Sequence, residues 1–87
     1  LLQVRGENED GGMSMDMGER IRQLLKKRDM REYELANAIG AHYVSVSRYV
    51  TGERMPKANV VARMADALNT TTDYILGRTD DDSGYGD

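Results

Sequence analysis

The sequence predicts an all-α fold of five short helices. Three observations carry that prediction. Apolar residues recur at helical spacing in five separate stretches between Met17 and Leu76. Turn-forming residues fall between those stretches, at Gly40, Gly52, Pro56, Asn69 and Gly77. The twenty residues from Glu32 to Thr51 hold two apolar stripes with nothing but a corner between them.

Helix 1 starts at Asp16, with Glu19 three residues later as in a capping box, and carries Met17, Ile21, Leu24 and Leu25 on one face to about Arg28. Helix 2 spans about Glu32 to Ile39, with Leu35, Ala36 and Ile39 as its apolar face. Helix 3 spans about Tyr43 to Val50, with Val46, Tyr49 and Val50 as its own. Ala36 is small where the two helices should cross. Gly40 leaves helix 2 where a positive φ is needed and carries no Cβ to oppose it. Gly52 stops helix 3, and Thr51 to Lys57, TGERMPK, reads as a loop. Helix 4 runs from about Ala58 to Leu68 with Val60, Val61, Met64, Ala65 and Leu68 inward, and Asn69 suits a left-handed cap. Thr71 or Thr72 starts helix 5, which offers Tyr74, Ile75 and Leu76 before Gly77 ends it. The organisation expected is a flexible acidic segment over residues 1–15, one domain over residues 16–78, and an acidic disordered tail over residues 79–87.

Composition narrows the function classes. The 87 residues include no Cys, which removes disulfides, zinc ribbons and thiol catalysis and suits a cytoplasmic setting. A domain this small buries only roughly 60% of its unfolded surface. No apolar run approaches the roughly 20 residues of a membrane span, and LLQVRG lacks the apolar core of a signal peptide. Leu1 is not an initiator Met, so Met13, Met15 or Met17 are candidate starts. The net charge of −3 is unevenly spread: residues 17–78 carry 11 Lys or Arg against 7 Asp or Glu, while residues 79–87 carry −4. The folded part is basic and its tails are acidic. Asp80, Asp81 and Asp82 read either as solvated charge or as groups that repel phosphate and tune affinity.

Two short helices around a tight corner make a helix-turn-helix, whose second helix enters the DNA major groove. With Val46, Tyr49 and Val50 inward, the outer face of helix 3 presents Tyr43, Val44, Ser47 and Arg48 as base-reading candidates. Arg48 can pair with O6 and N7 of guanine, worth about 1–3 kcal/mol of discrimination, or else touch phosphate or solvent. Val44 and the Tyr43 ring offer apolar contact to a thymine methyl, and Ser47 can bond to several bases. The residues just before helices 2, 3 and 4 are Arg31, His42 and Lys57, none of which caps a helix well. Their cost is explained if DNA phosphates accept the first amides of those helices while the side chains grip the same phosphates. Arg54, in the loop after helix 3, is a fourth candidate phosphate contact. His42 is the only His, so no metal site, cofactor or catalytic constellation is implied, and an enzyme is not expected.

The segments GERIRQLLKKRDM, ELANAIG, SVSRYVTGERMPK and MADALNTTTDYILGRT together resemble the Cro/phage-repressor (XRE) family over about Met17 to Arg78. The resemblance implies a lambda-repressor-like DNA-binding domain, with the starts of helices 2, 3 and 4 directed at the DNA backbone. It implies a cytoplasmic, bacterial or phage-encoded repressor that binds double-stranded DNA as a weak homodimer on a pseudo-palindromic operator. Helix 5, through Tyr74, Ile75 and Leu76, is either the dimer surface or part of the monomer core. Three positions depart from the family pattern: Glu32 stands for Gln at the start of helix 2, Leu25 and Val50 replace an Arg–Glu pair, and Asp29 replaces a turn Gly. The competing reading is a protein-interaction module of antitoxin or anti-repressor type whose acidic tails engage a protein partner.

Overall fold

The computed structural model describes residues 16–84. The expectations for residues 1–15 and for the last three residues lie outside that range. Five helices follow one another: α1 (Met17–Lys27), α2 (Glu32–Ile39), α3 (Tyr43–Thr51), α4 (Ala58–Ala67) and α5 (Thr72–Leu76). The sequence-derived ends hold to within a residue. α3 keeps Thr51, whose hydroxyl donates to the Arg48 carbonyl at 3.2 Å, and Leu68 becomes the C-cap of α4.

Four of the helices end by one device. A left-handed residue at Asp29, Gly40, Asn69 or Gly77 turns the chain so that the next amide reaches back to a carbonyl of the last turn. Met30 donates to Leu25 at 2.8 Å, Ala41 to Ala36 at 2.9 Å, Thr70 to Ala65 at 2.9 Å and Arg78 to Asp73 at 2.8 Å. At Gly40, φ is 72°, and this turn is the corner of the helix-turn-helix. Asp29 and Asn69 reach φ 55° and 54°, which short polar side chains tolerate better than most.

α1 packs on α3 and α5, α2 on α3 and α4, and α4 on α5. Ile21, Leu35, Val46, Met64, Leu68 and Ile75 are fully or almost fully buried at the centre. Leu25 and Val50 are buried in the same cluster, so the junction of α1 with α3 is apolar on both sides.

α1 and α3 approach closely at Gly18. A Cβ there would overlap the Val50 carbonyl oxygen. Gly18→Ala is therefore expected to lower stability by about 2 kcal/mol, the usual scale of overpacking. A urea melt of this variant with an unchanged midpoint would show that the helices can part without loss.

Of the two readings of helix 5, dimer surface or monomer core, the burial of Tyr74 and Ile75 favours the second. Both are buried in the monomer, Ile75 completely. α5 has only five residues, and one turn must close the core against both α1 and α4. Leu76 alone of the three stays exposed.

Arg20 is a second departure, since a charged residue on an amphipathic helix is ordinarily solvated. Here it is 2% exposed. Its guanidinium lies 4.6 Å from the centre of the Tyr74 ring, and Nη1 donates to the carbonyls of Tyr74 at 3.1 Å and Thr79 at 2.9 Å. Nη2 pairs with Asp80 at 2.9 Å. Lys27 pairs with Asp82 at 2.7 Å. The segment after α5 thus lies back along α1, with Asp82 partly buried and Asp80 still solvated, its side chain 96% exposed. Asp81 accepts the backbone N–H of Ser83 at 3.0 Å, which holds its carboxyl below the usual carboxylate range. Arg28 completes this side of the molecule by donating to the carbonyls of Leu68 and Asn69 at the end of α4, at 2.9 and 3.0 Å. Its task goes beyond the favourable charge at the end of α1 that the sequence suggests.

Candidate nucleic-acid interface

α3 is amphipathic in the sense the sequence predicts. Burial of Val46, Tyr49 and Val50 turns Tyr43 and Val44 outward, each 54% exposed. Arg48 is exposed on the same side, and Ser47 is half-buried beside it. Arg48 Nε stands 4.0 Å from a Glu53 carboxylate oxygen, a separation at the limit of an ion pair. An exposed pair of that length is worth little, so it leaves the guanidinium available to another acceptor.

The helix starts divide into two groups. Asp16 accepts the Glu19 amide at 2.8 Å and Thr71 accepts the Tyr74 amide at 3.1 Å, so α1 and α5 are capped by side chains. Arg31, His42 and Lys57 have extended backbones in the cap position, and none makes a side-chain cap bond. The first amides of α2, α3 and α4 thus lack the partner that α1 and α5 have. The α2 start is half equipped, because the Glu34 carboxylate accepts the Arg31 backbone N–H at 2.8 Å. No ion pair joins Arg31 to Glu32, which is half-buried.

The cations divide in the same way. Arg20, Arg22, Lys27 and Arg78 have acidic partners, and Arg28 and Arg63 donate to carbonyls at the ends of α4 and α2. Lys26, Arg31, Arg54 and Lys57 are exposed and form no ion pair among the described residues. Of these four, Arg31 and Lys57 stand at uncapped helix starts, Arg54 lies in the loop before α4, and Lys26 lies in the last turn of α1. Tyr33, which sequence reasoning passed over, is 52% exposed in the first turn of α2, next to Arg31. An aromatic residue on the polar side of a short helix was the available signal. No helix among the described residues is long and apolar enough to cross a membrane.

Comparison with known proteins agrees with this geometry. The family model described as Helix-turn-helix matches residues 21–75. Repressor protein C2 of Salmonella phage P22 is 33% identical over 60 residues, which cover 69% of this chain and 28% of that protein. The chain thus spans less than a third of the length of that relative. The crystal structure of the P22 c2 repressor in complex with synthetic operator 9T superposes with a TM-score of 0.69 at 32% identity, covering 72% of this chain and 96% of the other. The solution structure of the DNA-binding domain of the P22 c2 repressor gives 0.71 at 31% identity, covering 74% and 84%. On the family match and this identity, carried by the same five helices, the chain belongs to the helix-turn-helix family of the Cro/phage-repressor type.

Proposed function

We propose that this chain is a sequence-specific double-stranded DNA-binding transcriptional regulator, a repressor that lays α3 in the major groove. The observation that carries the reading is that the three helix starts without a side-chain cap are those led by Arg31, His42 and Lys57, the second of them opening the exposed face of α3. Amides and cations in that arrangement take phosphate oxygens, with Arg31, His42, Arg54 and Lys57 as the contacts. Tyr43, Val44, Ser47 and Arg48 then read base edges. Likeness to a repressor solved with an operator supports the same assignment. The role is one of binding rather than catalysis, exercised in the cytoplasm of a bacterium.

One α3 reads too few base pairs for specificity, so two copies bind a two-fold-symmetric site with half-sites about one helical turn apart. The surface best suited to join them is an apolar cleft of about 360 Å³ lined by Leu76, Met55, Pro56 and Met17. Met55 is 70% exposed and Leu76 51%. The dimer so formed is weak and reinforced by DNA. The alternative, in which the acidic tails engage a protein partner, has no observation of its own among the described residues, where Asp80 and Asp82 meet Arg20 and Lys27.

Selection of bound sites from a random double-stranded library tests the reading. The expected result is a two-fold-symmetric motif. Arg48→Ala should then cost about 1–3 kcal/mol and relax preference at one base position in each half-site. Equal loss on every sequence would reassign Arg48 to the backbone, and enrichment of no motif would refute specific reading.

A further inference from the structure

We propose that the acidic segment Asp80–Asp82, laid along α1, competes with the DNA backbone for Lys27 and so holds down the affinity of the domain for DNA. This inference rests on the DNA-binding reading and adds its regulation. The segment is docked at three points. Asp80 is tied to the buried Arg20, Asp82 to Lys27, and Gly84 packs so closely on Asn69 that a Cβ would overlap its backbone. It therefore runs toward the C-terminal end of α1, where Arg28 bonds the Asn69 carbonyl. That end leads through Asp29 and Met30 to Arg31, the uncapped start of α2.

Lys27 lies four residues before Arg31, and four residues of chain span at most about 14 Å. A phosphate seated on the start of α2 falls within that reach of a long lysine side chain, and within one to two screening lengths at physiological salt. The Asp82 carboxylate, 2.7 Å from Nζ, occupies the ammonium first. The pair is weak enough to yield. Lys27 is 57% exposed and Asp82 29%, so solvent screens both. The anchor at Arg20 keeps Asp82 nearby at high effective concentration. The segment acts as a tethered rival to phosphate and not as a permanent block. Its three carboxylates also stand against a net charge of +4 on residues 17–78.

Asp81 provides a charge-matched control, because its carboxylate is engaged by Ser83 and not by a lysine. Binding of the full chain to its selected site is measured by salt titration for Asp82→Asn, Asp81→Asn, Lys27→Met and the double variant Lys27→Met with Asp82→Asn. Asp82→Asn should bind about twofold to fivefold more tightly at low salt, with a salt slope steeper by about 0.9 for the phosphate newly engaged. Asp81→Asn should leave the slope unchanged. With Lys27→Met in place, Asp82→Asn should gain no more than Asp81→Asn does. Equal gains from the two aspartate variants in the native background would reduce the effect to net charge and overturn the inference while leaving DNA binding intact. A folded native chain that binds no DNA at low salt would instead overturn the DNA-binding reading, and this inference with it.

Discussion

Replacing Arg31 and Lys57 together by serine is expected to stabilise the domain and weaken its grip on DNA. Ser at position 31 would stand three residues before Glu34, whose carboxylate already takes the position 31 amide, so the substitution completes a reciprocal capping box. Ser at position 57 would accept one of the first amides of α4, which have no side-chain partner now. Each cap is worth about 1 kcal/mol, and in a domain of this size each kcal/mol raises Tm by about 4–8 °C. DNA affinity should move the other way. Two cations leave the rim and two helix starts satisfy themselves, so operator and unrelated DNA both lose roughly tenfold, with a salt slope shallower by about 1.8. Opposite signs are the decisive feature, and calorimetry with a salt titration reads both. A variant that binds DNA as tightly as the native chain would show that phosphates do not seat on these helix starts.

Arg20→Met should lower stability by about 3 kcal/mol, the scale for removing a buried charged donor from partners that depend on it. The carbonyls of Tyr74 and Thr79 lose their shared donor, and the ring of Tyr74 loses its cation. α5 consists of one turn, and its hold on the core passes through this cluster. Arg20→Lys should recover less than half of the loss, because a single ammonium cannot serve two carbonyls and a carboxylate in the planar fork that a guanidinium provides. Urea unfolding followed by circular dichroism measures both variants. A stability equal to the native chain in Arg20→Met would mean that apolar packing of Ile75 alone keeps α5 in place.

The helix boundaries were legible because their signals are local. Asp16 with Glu19, Gly40 after Ile39 and Asn69 after Leu68 state their roles within one turn of chain, and the apolar spacing of α3 fixes which side of it faces out. What the sequence concealed depends on contacts across long separations. Arg20 meets partners 54 to 60 residues away, and although its place between Met17 and Leu24 sets it nearer the apolar face than the solvated Arg22, nothing local names those partners. Gly18 looks like a weak helix former until the Val50 carbonyl is placed beside it. Tyr74, Ile75 and Leu76 form one apolar run, and only the orientation of a five-residue helix separates two core residues from one surface residue. The exposed face of α3 needed no such information, since it is the complement of a buried stripe.

The burial of both Leu25 and Val50 in one apolar cluster makes this domain a clean instrument. Where an ion pair would join the first helix to the recognition helix, added salt would loosen the scaffold and strip the DNA's counterions at the same time. Here the seating of α3 rests on burial, which moderate salt barely perturbs. A change in DNA affinity with ionic strength therefore reports the charges of the surface and not the posture of α3.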